Sequence, residues 1–233
     1  MQEQDRAKWA AAQGALQFVK DGMLIGLGTG STAEKFVRLL APKVAEEHWR
    51  ISCVSTSKAI AALARELGLT GEFDNPDLLH VDMTFDGADE ADNYGNLIKG
   101  GGGALLREKL VALASREVTI MVDDSKHVEV LGRAFKLPVE IVPFGCRRTL
   151  KRLEELGAEA VLRRRGGQLF VTDNGNYIAD CDFGGIANPA ELSVRLKSIC
   201  GVVESGIFSG IATRIVTGRS DGTWTVQELQ PRH

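Results

Sequence analysis

A glycine-rich loop near the N-terminus has the composition of an anion-binding site. The sequence GLGTGST at 26–32 lies between an apolar run and a helical pattern, and Thr29, Ser31 and Thr32 add hydroxyl donors. Glycines at such a junction let a ligand approach bare backbone amides at the positive end of a helix dipole. The loop therefore predicts a phosphate-like ligand, and a glycine turn without a ligand is the alternative.

The same loop differs from the dinucleotide-binding fingerprint G-x-G-x-x-G. The last glycine of that fingerprint would stand at position 31, where the chain has Ser31. The fingerprint also expects an acidic residue at the end of the second strand. That strand instead ends at Ser55, and the sequence continues with Thr56, Ser57 and Lys58. A smaller phosphorylated ligand fits better than NAD, and an NADP-dependent oxidoreductase stays an open alternative.

A second polar motif is DGADE at 86–90, which follows an alternating strand pattern. Asp86 and Asp89 would stand at the carboxyl end of that strand, with Glu90 beside them. A plain Asp-Gly turn is one alternative, because these residues are common in turns. A magnesium site is another, since carboxylates suit hard cations, although the spacing of an EF-hand loop is absent.

The third motif, KGGGGALLREK at 99–109, contains four consecutive glycines. Such a run between a strand and a helix exposes successive backbone amides that can stabilise an oxyanion, and Lys99 adds a positive charge. Glu108 follows about one helical turn later and could act as a general base in the same crevice. The alternative is that Glu108 is an exposed partner of Arg107 or Lys109.

The elements that carry these motifs alternate between strand and helix over the first 125 residues. Strands are predicted at 23–27, 51–55, 78–85, 97–98 and 118–122, with helices at 3–20, 32–40, 58–67 and 104–114. This alternation is typical of a doubly wound, mostly parallel, Rossmann-like sheet. Ligands of such sheets bind beyond the carboxyl ends of the strands, where all three motifs would fall. The motifs together favour cofactor-free proton transfer next to a carbonyl group of a phosphorylated substrate.

A second, smaller domain is predicted after residue 130. The segment 131–208 has the order β-α-β-β-α-β, with its last strand expected at 202–208, which is the ferredoxin-like α+β pattern. The tail is too short to be a domain, so we expect it to return to the first sheet. The predicted domains are thus 1–130 with 209–233, and 131–208. Within the second domain, the three arginines at 163–165 are expected to form a solvated hairpin.

Composition excludes several classes of function. The chain has 28 Lys and Arg against 31 Asp and Glu, a net charge of -3, which argues against a general nucleic-acid binder. We expect no membrane partner and a cytoplasmic protein, because the sequence has neither a long apolar span nor the apolar region of a signal peptide. The four cysteines and four histidines show no zinc-ligand spacing, so we expect no metal and free thiols.

In this order and spacing, GLGTGSTA, DGADE and KGGGGALLREK resemble the type A ribose-5-phosphate isomerase family. The resemblance continues through DDSK, LPVEIVP and VTDNGN, and so covers essentially the whole chain. It implies interconversion of D-ribose 5-phosphate and D-ribulose 5-phosphate through an enediol(ate), without metal or cofactor, in the pentose phosphate pathway. This sequence differs from the usual family pattern at Gly103, where alanine is frequent in the family, and at Leu106, where threonine is frequent.

The resemblance also implies roles for individual residues. Glu108 would be the base, Asp86 and Asp89 would assist ring opening, and Lys99 would stabilise the enediolate. Substrate contacts would come from Thr29, Gly30, Ser31 and Thr32, from Asp86, Gly87, Ala88 and Asp89, from Lys99 and Gly100, Gly101 and Gly102, and from Lys126 and Lys8. A homodimer or homotetramer is implied as well. A non-catalytic module that binds or senses sugar phosphates stays an alternative, as does the NADP-dependent oxidoreductase.

Overall fold

The structure is a computed structural model that describes residues 2–230. The α-helices are α1 (Glu3–Ala15), α2 (Ser31–Glu46), α3 (Lys58–Glu66), α4 (Leu105–Ala114), α5 (Cys146–Glu155) and α6 (Pro189–Lys197). The strands are β1 (Leu24–Leu27), β2 (Ser52–Ser55), β3 (Val81–Gly87), β4 (Glu90–Ala91), β5 (Leu97–Ile98), β6 (Ser115–Asp123), β7 (Leu137–Ile141), β8 (Glu159–Leu162), β9 (Arg164–Arg165), β10 (Gln168–Leu169), β11 (Tyr177–Asp182), β12 (Val202–Ser205), β13 (Ile207–Phe208), β14 (Arg214–Gly218) and β15 (Trp224–Glu228). Within the described residues, no helix is both long enough and apolar enough to cross a bilayer.

The first compact unit, residues 2–88, 107–126 and 210–230, contains the larger sheet. Its strand order is β15-β14-β6-β3-β1-β2, and all neighbours are parallel except β14 and β15. The chain enters at β1, adds β2 on one side, and then reverses to β3 and β6 on the other. The predicted doubly wound sheet is confirmed, and so is the return of the tail to it as β14 and β15. The strand expected in it at 97–98 is not part of it, because β5 pairs antiparallel with β4 and β13 in a separate sheet.

The core of this unit fixes the ends of the first glycine loop. Ile25 and Leu27 of β1 are fully buried. The rings of Phe36 on α2 and Phe85 on β3 stack with centroids 4.3 Å apart. Because β1 and α2 both pack into one dry core, the loop that joins them is held at both ends.

The second compact unit, residues 89–106 and 127–209, contains an antiparallel sheet with the order β12-β7-β11-β8. Helices α5 and α6 connect β7 to β8 and β11 to β12. Numbered within this segment, the strand order is 4-1-3-2, the ferredoxin-like arrangement. The predicted smaller α+β fold is therefore confirmed.

The compact units divide the chain differently from the boundaries expected from the sequence. Residues 89–106 belong to the second unit, where β5 pairs with both β4 and β13. The single strand expected at 202–208 is two strands, because it changes sheets at Gly206. A side chain on Gly206 would overlap the carbonyl oxygen of Lys99. The boundaries at 130 and 208 stay a prediction, and residues 231–233 of the first expected domain lie outside the described residues.

Several element boundaries also differ from the sequence prediction, among them the start of the third predicted strand and the end of the second predicted helix. Strand β3 begins at Val81, where its pairing with Ser115 of β6 begins, so the expected residues 78–80 lie outside it. Leu79, an apolar residue of the alternating pattern predicted at 78–85, is 91% exposed. Helix α2 continues through Pro42 to Glu46 instead of ending near residue 40.

The interpretation of residues 163–165 as a solvated hairpin is wrong for the first arginine. Arg164 and Arg165 are exposed and form β9, which pairs with β10. The side chain of Arg163 is only 11% exposed and forms an ion pair with Asp180. Pairing with a carboxylate on β11 is what permits this burial, and a contact across 17 residues is not visible in a local charge run.

The cysteine thiols are expected to differ strongly in their rate of reaction with a thiol reagent. Burial raises the pKa of the Cys53 thiol to about 12, and burial together with the Asp180 charge raises that of Cys181 to about 12. Since the thiolate is the reactive form, both should react with an aromatic disulfide reagent at pH 8 at least about 100-fold more slowly than the exposed Cys200. Time-resolved labelling with peptide mapping checks this. Equal rates at Cys53 and Cys200 in the folded protein would contradict it.

Candidate active site

The first glycine loop packs directly against Asp86 at the carboxyl ends of β1 and β3. The Asp86 carboxylate is buried, and its Oδ1 accepts hydrogen bonds from the amides of Thr29 (3.1 Å) and Gly87 (2.7 Å). The amide of Gly28 donates to the carbonyl of Phe85 at 2.9 Å. This is the point where the strand order reverses, which is where doubly wound sheets bind ligands.

Gly28 is needed because the carboxylate of Asp86 occupies the space that a side chain would take. A Cβ at position 28 would overlap the Asp86 carboxyl carbon and Oδ1. We therefore expect Gly28→Ala to displace Asp86 and to lower kcat/KM for the substrate proposed below about 100-fold, the effect of a misplacement near 1 Å. Steady-state kinetics, with circular dichroism as the folding control, checks this. A folded Gly28→Ala protein with unchanged kcat/KM would show that the position of Asp86 is not critical.

A hydroxyl cluster lies next to this loop. The Oγ1 of Thr29 is 2.7 Å from Thr56 Oγ1 and donates to Ser57 Oγ at 2.9 Å. Ser57 also caps α3 by accepting from the Ile60 amide. Thr56 and Ser57 are not among the site residues predicted from the sequence. Their position at the carboxyl end of β2 was the signal that could have found them.

The remaining predicted residues of the loop form the start of α2. Gly30 precedes the helix with φ 116°, a conformation that favours glycine, and provides no side-chain cap. Ser31 is exposed, whereas Thr32 is buried. The first turn therefore presents backbone amides that no capping side chain covers, as an anion site requires.

Glu108 is a buried carboxylate in the first turn of α4. It is 3% exposed, so the alternative of an exposed surface partner is wrong. Arg107 forms an ion pair with Asp74 at 2.8 Å. The chain passes from the second unit to the first between Leu106 and Arg107, directly before this glutamate.

The two predicted lysines of the first unit are both partly buried. Lys126 ends the 3-10 turn Asp124–Lys126 that follows β6. The carboxylate of Asp123 holds this turn by accepting from the amide and the hydroxyl of Ser125. Lys8 lies on α1, which packs against α2 and β14.

In the second unit, the four-glycine loop is held against Asp89. The Gly101 amide donates to Asp89 Oδ2 at 2.7 Å, and the Asp89 amide donates to the carbonyl of Ile98 at 2.8 Å. Gly103 and Gly100 close a tight turn with an amide-to-carbonyl bond of 2.9 Å. Of the predicted residues in this motif, Gly102 is exposed.

Lys99 is a buried cation at the start of the same loop. It is 2% exposed, and its Nζ lies 5.5 Å from the centroid of the Phe208 ring. Its amide donates to the carbonyl of Gly206 at 2.9 Å, so its backbone is part of the β5 and β13 pairing region. A buried ammonium group is costly to desolvate and is therefore rarely retained without a specific interaction.

The neighbouring Glu90 is held by backbone amides and connects two segments of the second unit. Its carboxylate accepts from the amides of Gly132 (2.6 Å), Ala134 (3.0 Å) and Phe135 (2.8 Å). It thus ties β4 to the segment before β7. Ala88, which precedes Asp89, is half-buried. It is the last residue of the DGADE motif that belongs to the first unit.

The magnesium site considered as an alternative would need a cluster of ligand side chains. Among residues 2–230, no three His, Cys, Asp or Glu side chains are grouped in a way that could hold a metal ion. The structure joins Asp86 to Thr29 and Gly87 in the first unit, and Asp89 to Gly101 in the second. Both the DGADE and the KGGGGALLREK motifs cross from one unit to the other along the chain.

Comparison with known proteins identifies the family. The family described as ribose 5-phosphate isomerase A (phosphoriboisomerase A) matches residues 52–222. The chain is 47% identical to ribose-5-phosphate isomerase A of a Synechococcus strain, over 98% of this chain and 100% of that protein. It is also 47% identical to the protein of that name from a Jannaschia strain, over 97% of this chain and 88% of the relative.

Solved structures agree with the sequence relatives. The ribose 5-phosphate isomerase from Plasmodium falciparum is similar with a TM-score of 0.92 at 35% identity, covering 96% of this chain and 98% of that one. A D-ribose-5-phosphate isomerase in complex with phospho-erythronic acid is similar with a TM-score of 0.91 at 35% identity, covering 98% and 100%. The chain belongs to the ribose-5-phosphate isomerase A family.

Proposed function

We propose that this protein interconverts D-ribose 5-phosphate and D-ribulose 5-phosphate by general-base proton transfer. The observation that carries the proposal is Glu108, a buried carboxylate in the first turn of the helix after the four-glycine loop. A carboxylate with these neighbours in sequence suits the removal of a proton next to a carbonyl group. Family membership over nearly the whole chain supports the same reaction.

The proposed reaction moves one proton between adjacent carbons. In the open-chain aldose, Glu108 takes the hydrogen of C2, and the electrons of that C–H bond form a C1=C2 double bond while the C1 carbonyl oxygen becomes negative. The C1 oxygen then gains a proton while the C2 hydroxyl loses one, the Glu108 carboxylic acid returns its proton to C1, and the C2 oxygen becomes the carbonyl of ribulose 5-phosphate. One carboxylate can serve both carbons because they are neighbours on the same face of a cis-enediol.

A C–H bond next to a carbonyl is a weak acid, so the oxyanion must be stabilised as it forms. We assign this task to Lys99 and to the backbone of Gly100, Gly101 and Gly102. Asp86 and Asp89 would assist ring opening and the proton transfers between hydroxyl groups. Each is anchored by backbone amides, which supports a fixed carboxylate position.

The remaining contacts would hold the phosphorylated sugar. We assign them to Thr29, Gly30, Ser31 and Thr32, to Gly87 and Ala88, and to Lys126 and Lys8. The uncapped start of α2 supports anion binding at the first of these groups. A related protein binds phospho-erythronic acid, which like the proposed substrate carries a phosphate on a hydroxylated carbon chain.

The physiological setting is part of the proposal. We propose a cytoplasmic homodimer or homotetramer in the pentose phosphate pathway, acting on a phosphorylated pentose without nucleic acid or membrane partners. The net charge of -3 agrees with recognition of the anion by local amides and a few lysines. Light scattering coupled to size exclusion measures the oligomeric state.

The test of the proposed function is turnover of ribose 5-phosphate to ribulose 5-phosphate in the presence of excess chelator and without nicotinamide cofactor. We expect full activity under these conditions. Turnover that requires added metal would support the magnesium alternative, and a change in NADPH absorbance would support the oxidoreductase. Tight binding of ribose 5-phosphate without turnover would support the sensing module.

A further inference from the structure

The four-glycine loop contacts a partly buried arginine that the proposed reaction does not use. The Nη1 of Arg163 donates to the carbonyl of Gly100 at 2.8 Å and to the carbonyl of Gly101 at 3.1 Å. The other side of the same guanidinium binds Asp180, with Nε donating to Oδ2 at 3.0 Å and Nη2 donating to Oδ1. One planar group therefore joins the loop to β11 by a set of directed hydrogen bonds.

The backbone of Arg163 is itself fixed. Its amide donates to the carbonyl of Ile178 at 2.8 Å, and its carbonyl accepts from Phe170 at 2.9 Å. The ring of Phe170 covers Gly103, where a Cβ would overlap it, and the guanidinium of Arg165 lies 4.6 Å from that ring. The hairpin β9 and β10 thus approaches the glycine loop at two places.

These contacts determine where the loop amides point. In a trans peptide the C=O and the following N–H lie on opposite sides of the chain. The carbonyls that Arg163 holds belong to the two peptide units whose N–H groups are those of Gly101 and Gly102. Holding both carbonyls turns both amides away from the arginine, and the Gly101 amide does reach Asp89 at 2.7 Å.

Such an anchor matters because glycines resist a single conformation. A run of four glycines has the largest backbone freedom of any tetrapeptide, and each unrestrained residue costs entropy when it is ordered. Donors stabilise a developing oxyanion effectively only when they are already oriented before the reaction. Side chains of the loop cannot supply that order, so it has to come from outside the loop.

We propose that Arg163 is a positioning residue that fixes both peptide units of the loop, so that the Gly101 amide stays on Asp89 and the Gly102 amide is directed to the oxyanion of the reaction, with Asp180 orienting Arg163 in turn. The inference rests on the proposed isomerase function and extends it to the hairpin. Arg163 acts through the loop and is not itself a catalytic residue. Loss of Arg163 should therefore lower kcat, because the Gly102 amide interacts most strongly with the charge that develops during the reaction.

The first experiment compares Arg163→Ala with Arg164→Ala, an exposed arginine of the same hairpin. We expect Arg163→Ala to lower kcat for ribose 5-phosphate about 30- to 100-fold with KM changed less than about 3-fold. This loss is smaller than the roughly 100- to 1000-fold for removal of an oxyanion donor, because the donor is misdirected and not removed. Arg164→Ala should keep both constants. Added guanidinium should restore part of kcat in Arg163→Ala, an effect that a role in stability alone would not produce.

Two milder variants keep the test decisive if Arg163→Ala does not fold. Arg163→Lys keeps a charge but cannot hold Asp180 and two carbonyls together, and Asp180→Asn keeps the shape of the partner. Both should lower kcat more than they raise KM, and both should weaken binding of phospho-erythronic acid in calorimetry.

The outcomes separate the two proposals. A wild-type protein without turnover rejects the isomerase function, and the role of Arg163 falls with it. Wild-type turnover together with normal kcat in folded Arg163→Ala, or in Arg163→Lys and Asp180→Asn, overturns only the role of Arg163. A lower melting temperature in these variants with unchanged kcat likewise overturns it, since the arginine would then be structural.

Discussion

Replacement of Glu108 by glutamine is expected to lower kcat for the isomerisation about 10³- to 10⁴-fold while the protein still binds ribose 5-phosphate. Glutamine has the size and shape of glutamate but no basic carboxylate oxygen, so it cannot accept the C2 proton. Burial of this side chain in the first turn of α4 keeps water from substituting efficiently for the base. Coupled-enzyme kinetics and calorimetric binding of ribose 5-phosphate measure the two effects.

A matched control is Glu191→Gln, a first-turn glutamate of α6 that is exposed. It hydrogen bonds to Asn188, and the amide oxygen of glutamine can still accept that bond. We expect unchanged kinetics in this variant. Near-normal turnover in Glu108→Gln would reject Glu108 as the base, whereas a loss of binding equal to the loss of kcat/KM would assign it to substrate binding alone.

Replacement of Lys99 by methionine is expected to lower kcat about 100- to 1000-fold. Methionine keeps the length and the apolar stem of lysine but removes the ammonium group, and with it a positive charge in a water-poor site. A charge of this kind is most effective when a negative oxygen develops nearby, so the loss should appear in kcat more than in KM. Kinetics over a range of ribose 5-phosphate concentrations measures both constants.

The control for Lys99→Met is Lys136→Met, which removes an exposed ammonium group paired with Asp182. This pair lies at the surface, so its loss should change neither kinetics nor folding measurably. Thermal unfolding followed by circular dichroism establishes that both variants are folded. A folded Lys99→Met protein with kcat within about threefold of the wild type would remove Lys99 from the mechanism.

The larger sheet could be predicted because its signals are local. Apolar runs, an alternating strand and glycine loops each fall within a few residues, and they place the first two motifs after β1 and β3 of this sheet. The third motif follows β5, which belongs to a separate sheet of the second unit. The start of β3 could not be predicted, because Leu79 continues the alternating pattern although no neighbouring strand pairs with it. A pattern gives the period of a strand, while its partner determines its length.

The site was predictable to a similar degree. Asp86, Asp89, Lys99 and Glu108 lie inside motifs whose chemistry can be read from residue type and spacing, although their roles stay predictions. Arg163 could not be found in this way, because its bonds to Gly100 and Gly101 join residues 63 and 62 positions apart. A run of three arginines next to two glycines has the local appearance of an exposed turn, which is correct for its other two members.

The division of the strand expected at 202–208 has a similar cause. Its apolar residues continue past Gly206, but the backbone of Lys99 approaches there so closely that only glycine fits. The amides of Lys99 and Gly206 bond to Gly206 and Pro138 respectively, which separates β12 from β13. The strand propensity of residues 202–208 gives no sign of this close contact with the Lys99 backbone.

The central claim, that Glu108 removes the C2 proton of ribose 5-phosphate, is tested most directly by hydrogen exchange with solvent. Ribose 5-phosphate is incubated in D₂O with wild type or Glu108→Gln, and proton NMR follows the C2 hydrogen over many turnovers. We predict replacement of this hydrogen by deuterium with the wild type, and exchange slower by about 10³-fold or more with a Glu108→Gln protein that still binds the sugar. Exchange at the wild-type rate in Glu108→Gln would contradict the claim.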